Sequence, residues 1–173
     1  MFYIKTHSER VTESRRAIAK IVQAPVDECV FVKNASTGTN TVLRNLEYKP
    51  GDVIVYFATV YNAVEQALAS LMETTPVQLR KVDYTFPITH DEIVDRFLAV
   101  IRKTKQEEGL NVRAAIFDSI VSVPGVRFPF ERLIKACKQE SVLSIIDGAH
   151  GIGQIPLNLS ELSPDFFVTN CHK

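Results

Sequence analysis

The sequence predicts an α/β fold in which a mainly parallel sheet carries helices on both of its faces. Short apolar segments alternate with longer amphipathic segments along the whole chain, which is the pattern of strands separated by helices. The short segments are apolar throughout, as strands are when both faces of a parallel sheet are covered. Turn signals such as Lys49-Pro50-Gly51-Asp52 separate the segments. A chain of 173 residues is sufficient for one such domain.

The first half of the chain is predicted to alternate helices with strands. Residues 8–23 form a charged amphipathic helix, which ends before Pro25 because proline cannot continue a helix. The apolar residues 29–32 indicate a short buried strand. A helix at 37–46, a strand at 53–57, a helix at 61–72 and a strand at 77–82 follow.

The second half begins with a helix start signal at Thr89 and Glu92. Their spacing is that of a capping box, in which the threonine side chain accepts from the backbone and the glutamate reaches back. The helix that follows has one apolar face, formed by Ile93, Val94, Phe97, Leu98 and Ile101. Strands at 114–117, 142–146 and 166–169, a helix at 130–139 and a short segment at 159–162 complete the prediction.

Composition narrows the classes of function. The net charge is zero, so neither nucleic acid nor an anionic membrane is indicated as a partner. No apolar run reaches membrane-spanning length, and the N-terminus lacks the pattern of a secretory signal. The three cysteines have no metal-binding spacing, and their odd number argues against a disulfide framework. We therefore expect a cytoplasmic protein with no metal site and no membrane or nucleic-acid partner.

Polar segments follow several of the predicted strands at the point where each strand ends. Ligands of parallel sheets bind beyond the carboxyl ends of the strands, so these segments predict one shared site. They are residues 34–39, Tyr61 and residues 118–122, 147–150 and 170–173.

Two of these segments carry groups with strong chemistry. Lys173 follows an apolar strand, and an amine in a partly desolvated pocket becomes nucleophilic toward an aldehyde. The alternative is a solvated lysine at a chain end. Asp147 also ends an apolar strand, where an unpaired carboxylate is costly. It either pairs with a cationic ligand or caps the segment that follows.

The loop at residues 34–40 lies between a strand and a helix and contains Ser36 and Thr37. Backbone N–H groups, hydroxyls and the helix dipole can bind a phosphate there. Ordinary capping of the helix is the alternative reading. Tyr61 and His150 are likewise either ligand contacts or packed core side chains. Arg127 could hold a carboxylate, although an arginine in such a loop more often lies on the surface.

The ordered motifs include Asp147-Gly148-Ala149-His150 and, at the end of the next strand, His172-Lys173. Together they resemble the cofactor-binding core of fold-type I pyridoxal-phosphate (PLP) enzymes. The similarity is to the class V aminotransferase group, near its fungal isopenicillin-N-epimerase-like members. It implies PLP as cofactor, a small amino-acid-like substrate and a homodimer in the full-length form. It also implies the large domain of the aspartate aminotransferase-like fold.

The resemblance assigns roles to residues at matching positions. Lys173 would be the Schiff-base lysine and the candidate base, and Asp147 would pair with the pyridine nitrogen of PLP. His150 would contact the phenolic oxygen or the Schiff-base region, while Gly148 and Ala149 leave room for the ring. The other implied cofactor contacts are Ala35, Ser36 and Thr37 as the phosphate cup, Tyr61 as the stacking aromatic, Ser122 through its hydroxyl, and Asn170 and His172 at the phosphate.

The resemblance leaves the reaction open among aminotransferase, epimerase and C–S or C–N lyase types. Complete relatives are longer, so residues 1–173 are expected to be a partial PLP-binding large domain without the C-terminal small domain. A catalytically incomplete fragment or interaction module of the same fold is therefore an alternative. A nucleotide-binding domain that uses residues 34–40 is a third, although the sequence lacks the glycine pattern of such loops.

Overall fold

The sheet is five-stranded and parallel throughout, in the order β2-β1-β3-β4-β5. A computed structural model describes residues 6–173 of the chain. The predicted fold class is confirmed. The strands are β1 (Asp52–Phe57), β2 (Gln78–Val82), β3 (Asn111–Asp118), β4 (Leu143–Gly148) and β5 (Phe166–Thr169). The helices are α1 (His7–Val22), α2 (Ala35–Asn45), α3 (Asn62–Thr74), α4 (His90–Arg102), α5 (Phe130–Gln139) and α6 (Leu159–Leu162).

Successive strand residues point to opposite sides of the sheet, so apolar strands give it two apolar faces. Helices cover both of them. On one face, Leu43 of α2 and Leu68 of α3 pack against Ile54, Ile116 and Ile145 of the central strands. The other face packs against α4 and α5 and is rich in aromatic side chains. The rings of Phe57 and Phe97 are stacked at 5.6 Å, and Phe128 meets Phe57 edge-on at 5.0 Å. The two cores hold the strand ends in fixed positions.

The capping box predicted at the start of α4 is confirmed. The hydroxyl of Thr89 accepts from the backbone N–H of Glu92 at 3.2 Å, and the Glu92 carboxylate accepts from the backbone N–H of Thr89 at 2.9 Å. Asn34 caps α2 in a similar way, because its side-chain oxygen accepts from the backbone N–H of Thr37 at 2.8 Å. This cap starts α2 at Ala35, two residues before the predicted position.

The predicted strand at residues 29–32 is wrong. That segment forms no strand, and the side chains of Val30 and Phe31 are 77% and 50% exposed. Arg15 of α1 donates to the backbone carbonyls of Val26 and Cys29 at 2.6 and 2.7 Å. These bonds hold the connection against α1 and away from the sheet, so its apolar composition does not lead to burial.

No helix within residues 6–173 has the length and apolarity needed to cross a lipid bilayer. The longest helix, α1, has 16 residues and carries charged side chains such as Arg10 and Glu13, which pair on its surface.

Candidate functional site

A cleft of about 180 Å³ opens at the carboxyl ends of β3, β4 and β5, beside the starts of α2 and α3. Every residue to which the resemblance assigned a catalytic or cofactor-binding role lines the cleft, except Thr37. Those lining residues are Ala35, Ser36, Tyr61, Ser122, Asp147, His150, Asn170, His172 and Lys173. Asn34, Asp118 and Ala149 complete the lining. Their roles in binding remain predictions, whereas their convergence is a structural fact.

Lys173 and His150 contact each other across the mouth of the cleft. The Lys173 Nζ lies 3.0 Å from the His150 Nε2. When the lysine is an ammonium ion, Nε2 is the acceptor and the imidazole is neutral. The side chain of Lys173 is exposed and that of His150 is half-buried. A proton can therefore pass between the two groups at the edge of the site.

Asp147 lies deeper, at the end of β4, and is only 6% exposed. Its Oδ1 accepts from the backbone N–H of Ala149 at 3.0 Å. Burial raises the pKa of Asp147, while the Ala149 N–H and the charges of His150 and Lys173 act in the opposite direction. A carboxylate in this position gains from a cationic partner inside the cleft.

Asp118 lines the cleft, as expected for the strand-end segment 118–122, although the sequence analysis assigned it no individual role. It is 4% exposed and pairs in register with Asp147 on the neighbouring strand. Burial, and then the charge of Asp147, raise the pKa of Asp118 well above its usual value. In the sequence, Asp118 is a carboxylate directly after an apolar strand, which is the same pattern that identified Asp147 as a candidate site residue.

The first turn of α2 forms one wall of the cleft. The side-chain oxygen of Asn170 accepts from the backbone N–H of Ala35 at 3.1 Å and so joins the end of β5 to the start of α2. The first turn of α2 contains no acidic residue, so the helix dipole favours an anion there. Thr37 does not line the cleft; it is exposed, and its backbone N–H is bound by the Asn34 cap.

Tyr61 and Ser122 occupy the outer part of the cleft. Tyr61 precedes α3 and is 48% exposed, so a large part of its ring is free to contact a flat ligand. Ser122 lies in the loop after β3. Arg127, in the same loop, pairs with the carboxylate of Glu131 and does not line the cleft.

Gly148 is required for packing on the other side of the sheet. A Cβ atom at this position would meet the ring of Phe167 at 2.3 Å. Gly148 itself does not line the cleft, whereas Ala149 does.

These residues fit PLP, a cofactor with an aldehyde, a phosphate and a basic ring nitrogen. The buried carboxylate of Asp147 matches a protonated ring nitrogen, and the start of α2 matches a phosphate. The Lys173 amine matches the aldehyde. The half-exposed ring of Tyr61 offers a surface for a flat ring.

Curated proteins of similar sequence are named for carbon–sulfur chemistry. The chain is 44% identical over 161 residues to L-cysteine desulfhydrase-like protein lolT2 of Epichloe uncinata, covering 93% of this chain and 34% of that protein. It is 34% identical over 164 residues to hercynylcysteine sulfoxide lyase of Schizosaccharomyces pombe, covering 92% of this chain and 39% of that protein. The chain thus spans a little over a third of the length of these relatives.

Solved structures confirm the fold. A cysteine desulfurase from Thermococcus onnurineus NA1 matches with a TM-score of 0.82 at 22% identity, covering 95% of this chain and 39% of that one. The cystine C–S lyase C-DES, in complex with its product cysteine persulfide, matches with a TM-score of 0.85 at 18% identity. The match covers all of this chain and 45% of C-DES.

The resemblance inferred from the sequence is confirmed at the level of the family, and so is the predicted cofactor. A variant of C-DES with glycine covalently linked to its PLP cofactor is another structural neighbour. The profile of the family described as aminotransferase class-V matches residues 3–173. This match spans nearly the whole sequence and agrees with both the relatives and the geometry of the cleft, so the chain belongs to the aminotransferase class-V family.

Proposed function

We propose that this protein is a PLP-dependent C–S lyase that acts on cysteine or a cysteine-derived amino acid. The main support for this proposal is that a buried carboxylate, Asp147, and an amine–imidazole pair, Lys173 and His150, line one cleft. The C–S lyase names of the relatives favour this reaction over transamination and epimerisation. Cleavage by α,β-elimination fits the groups present.

The proposed contacts with the cofactor follow from the lining of the cleft. Lys173 would hold it through a Schiff base, and Asp147 would pair with its ring nitrogen. Tyr61 would contact the ring, while the start of α2 and Asn170 would bind the phosphate. When bound, PLP supplies an electron sink for the carbanion at the substrate α-carbon.

The protein's own groups would move the protons. The Lys173 Nζ would take the proton from the substrate α-carbon, and His150 Nε2, 3.0 Å away, would exchange a proton with the lysine. The bond between the β-carbon and sulfur then breaks, and its electron pair leaves on the sulfur. The buried carboxyl group of Asp147, when ionised, would attract a cation to the opposite end of the cleft.

None of the three cysteines of this chain is suited to attack the substrate sulfur as a thiolate. None of the three, all of which lie within residues 6–173, lines the cleft. Burial raises the pKa of Cys137 to about 12, which keeps it a thiol. Burial also raises the pKa of Cys29, and Cys171 is exposed outside the cleft. A reactive thiolate requires the opposite environment.

We further propose that residues 1–173 belong to a partial PLP-binding large domain, and that the protein is a cytoplasmic homodimer. The domain assignment and the homodimer derive from the resemblance and from the lengths of the relatives, whereas the cytoplasmic location derives from the three cysteines, whose odd number argues against a disulfide framework. Light scattering of the purified, PLP-loaded protein measures the oligomeric state directly. A monomer at working concentration would contradict the homodimer.

The decisive experiment traps the cofactor on its lysine. The purified chain is incubated with PLP, reduced with borohydride and mapped by peptide mass spectrometry. We expect the label on Lys173, and its loss in Lys173→Arg. The matched control is Lys33→Arg, since Lys33 is an exposed lysine beside the cleft residue Asn34, and it should leave the labelling unchanged. Labels spread over surface lysines would contradict the assignment of Lys173.

A second assay addresses the reaction. Sulfide release from cysteine, followed together with pyruvate, distinguishes elimination from sulfur transfer, because a transferring enzyme leaves alanine. Equal amounts of sulfide and pyruvate are expected. Alanine as the product would overturn the elimination mechanism.

A further inference from the structure

Two buried carboxyl groups lie side by side at the inner end of the cleft. Asp118 ends β3 and Asp147 ends β4, and the two residues are register partners on adjacent parallel strands. Two residues earlier, Ile116 and Ile145 are also register partners and pack into the same apolar cluster. Side chains alternate along a strand, so both carboxyl groups project from that same face of the sheet. They are 4% and 6% exposed.

The surroundings of the two carboxyl groups differ in charge. Asp147 accepts a hydrogen bond from the Ala149 N–H and lies near the positive charge of the Lys173–His150 pair. A hydrogen bond from the backbone N–H of Asp118 acts to lower the pKa of its own carboxyl group, against burial and the charge of Asp147. Within the part of the chain that the structure describes, the side chains coupled to Asp118 are Asp147 and Tyr84. Neither supplies positive charge.

Tyr84 is itself a neutral neighbour. It is buried, and its hydroxyl is hydrogen-bonded to that of Thr59. Burial, together with the nearby Asp118, raises the pKa of Tyr84 to about 12, against the effect of the Thr59 bond. The phenol therefore offers Asp118 no compensating charge at any ordinary pH.

Two carboxylates in one poorly solvated place cannot both ionise without a large electrostatic cost. The first proton to leave comes from the group that has positive charge near it. The second proton stays on the group that has no cation near it. Burial and the charge of Asp147 raise the pKa of Asp118 well above the usual range, which agrees with this assignment.

We propose that Asp118 keeps its proton at neutral pH and acts as a positioning residue, leaving Asp147 as the single negative charge at the inner end of the cleft. The location of the proton is a property of the chain itself. The consequence for the ring nitrogen of PLP rests on the proposed function: the nitrogen then meets one carboxylate, in one defined place, and not a delocalised pair.

The test uses the purified chain without cofactor, labelled with ¹³C at the aspartate side-chain carboxyl carbons. Titration by NMR is recorded for the wild type, for Asp118→Asn and for Asp147→Asn. In the wild type, we expect the Asp118 signal to be that of a carboxylic acid at neutral pH, while the Asp147 signal is that of a carboxylate. Asparagine is a neutral, nearly isosteric replacement for a protonated aspartate.

The two variants should behave unequally. Removing the charge in Asp147→Asn should move the titration of Asp118 to lower pH, because a like charge is lost. Replacing Asp118 by asparagine should leave the midpoint of Asp147 unchanged, because Asp118 was neutral while Asp147 titrated. A wild-type Asp118 signal that is ionised at neutral pH, or one that does not shift in Asp147→Asn, would overturn the proposal. The wild-type titration alone decides the matter if either variant fails to fold.

A second readout connects the proton to the cofactor. With PLP bound, the visible absorbance of the wild type should change at alkaline pH as Asp118 ionises, and Asp118→Asn should lack that change. A protonated Asp118 in a chain that does not bind PLP would refute the proposed function and leave the proton assignment intact. A chain that binds PLP but has an ionised Asp118 at neutral pH would refute the proton assignment and leave the proposed function intact.

Discussion

The inner end and the rim of the cleft are built in different ways. The inner end consists of Asp118 and Asp147, which are buried and fixed by the pairing of β3 with β4. The rim consists of Ser36, Tyr61 and Lys173, which are exposed or partly exposed and are positioned by short turns and helix starts. Sheet pairing thus determines how the carboxyl groups of the inner end are placed, whereas a few individual hydrogen bonds position the residues of the rim.

The largest expected effect is at the rim, where the chemistry occurs. Replacing Lys173 by alanine removes the amine that the proposal uses as base, and general-base groups contribute roughly 10²–10⁴-fold to rate. We expect sulfide release from cysteine to fall by at least about 100-fold on that scale. His150→Ala should lower the rate less, and the double variant should be no slower than Lys173→Ala alone. Full additivity of the two losses would show that the 3.0 Å contact has no part in proton movement.

The next prediction concerns the inner end and the dependence of stability on pH. Burial raises the pKa of Asp118 in the folded state above the 3.8 of an ordinary aspartate. Between these two values the folded state binds more protons than the unfolded state, so the free energy of unfolding falls as pH rises. In Asp118→Asn the group that titrates is absent, so this fall in the free energy of unfolding does not occur.

The free energy of unfolding of Asp118→Asn minus that of the wild type should therefore become more positive from acidic to neutral pH. Urea unfolding midpoints at a series of pH values measure it. A value that is constant over this range, or one that becomes more negative as pH rises, would show that Asp118 is not held protonated by the fold.

A smaller effect on stability is expected where Gly148, next to Asp147, packs against the neighbouring strand β5. Gly148→Ala would place a Cβ atom 2.3 Å from the ring of Phe167, and overpacking of a core costs about 1–3 kcal/mol. The double variant with Phe167→Leu should recover most of the loss, since leucine lacks the ring atoms in contact. Urea unfolding measures both variants. A Phe167→Leu change that gives no recovery would place the strain elsewhere in the sheet.

The sequence predicts the regular elements well where local signals and burial agree. The capping box at Thr89 and the strand Phe166–Thr169 are confirmed as predicted. The apolar segment at residues 29–32 misled the prediction, because the bonds from Arg15 that hold its neighbourhood outside the sheet are long-range contacts. Apolar composition gives no information about such a partner.

The site was predictable residue by residue, but its electrostatics were not. Strand-end polar residues such as Asp147 and Asn170 are visible in the sequence, and the structure brings them into one cleft. The pairing of Asp118 with Asp147 depends on which strands are neighbours and on their register. A sequence pattern contains the two carboxylates 29 positions apart (118 and 147) but does not show that they share one poorly solvated space.

The smallest expected effect tests the single bond that ties the rim to the sheet. Asn170 accepts from the backbone N–H of Ala35 at 3.1 Å and is 7% exposed. Removing the acceptor in Asn170→Ala should lower the free energy of unfolding by about 1 kcal/mol, the net value of a typical hydrogen bond. It should also weaken PLP binding, because the start of α2 loses its anchor. Asn45→Ala is the matched control, since Asn45 makes an exposed bond within the same helix at 2.8 Å. If both variants weaken PLP binding equally, α2 acts through its overall stability. A loss confined to Asn170→Ala would show that one hydrogen bond between residues 135 positions apart sets the geometry of the rim.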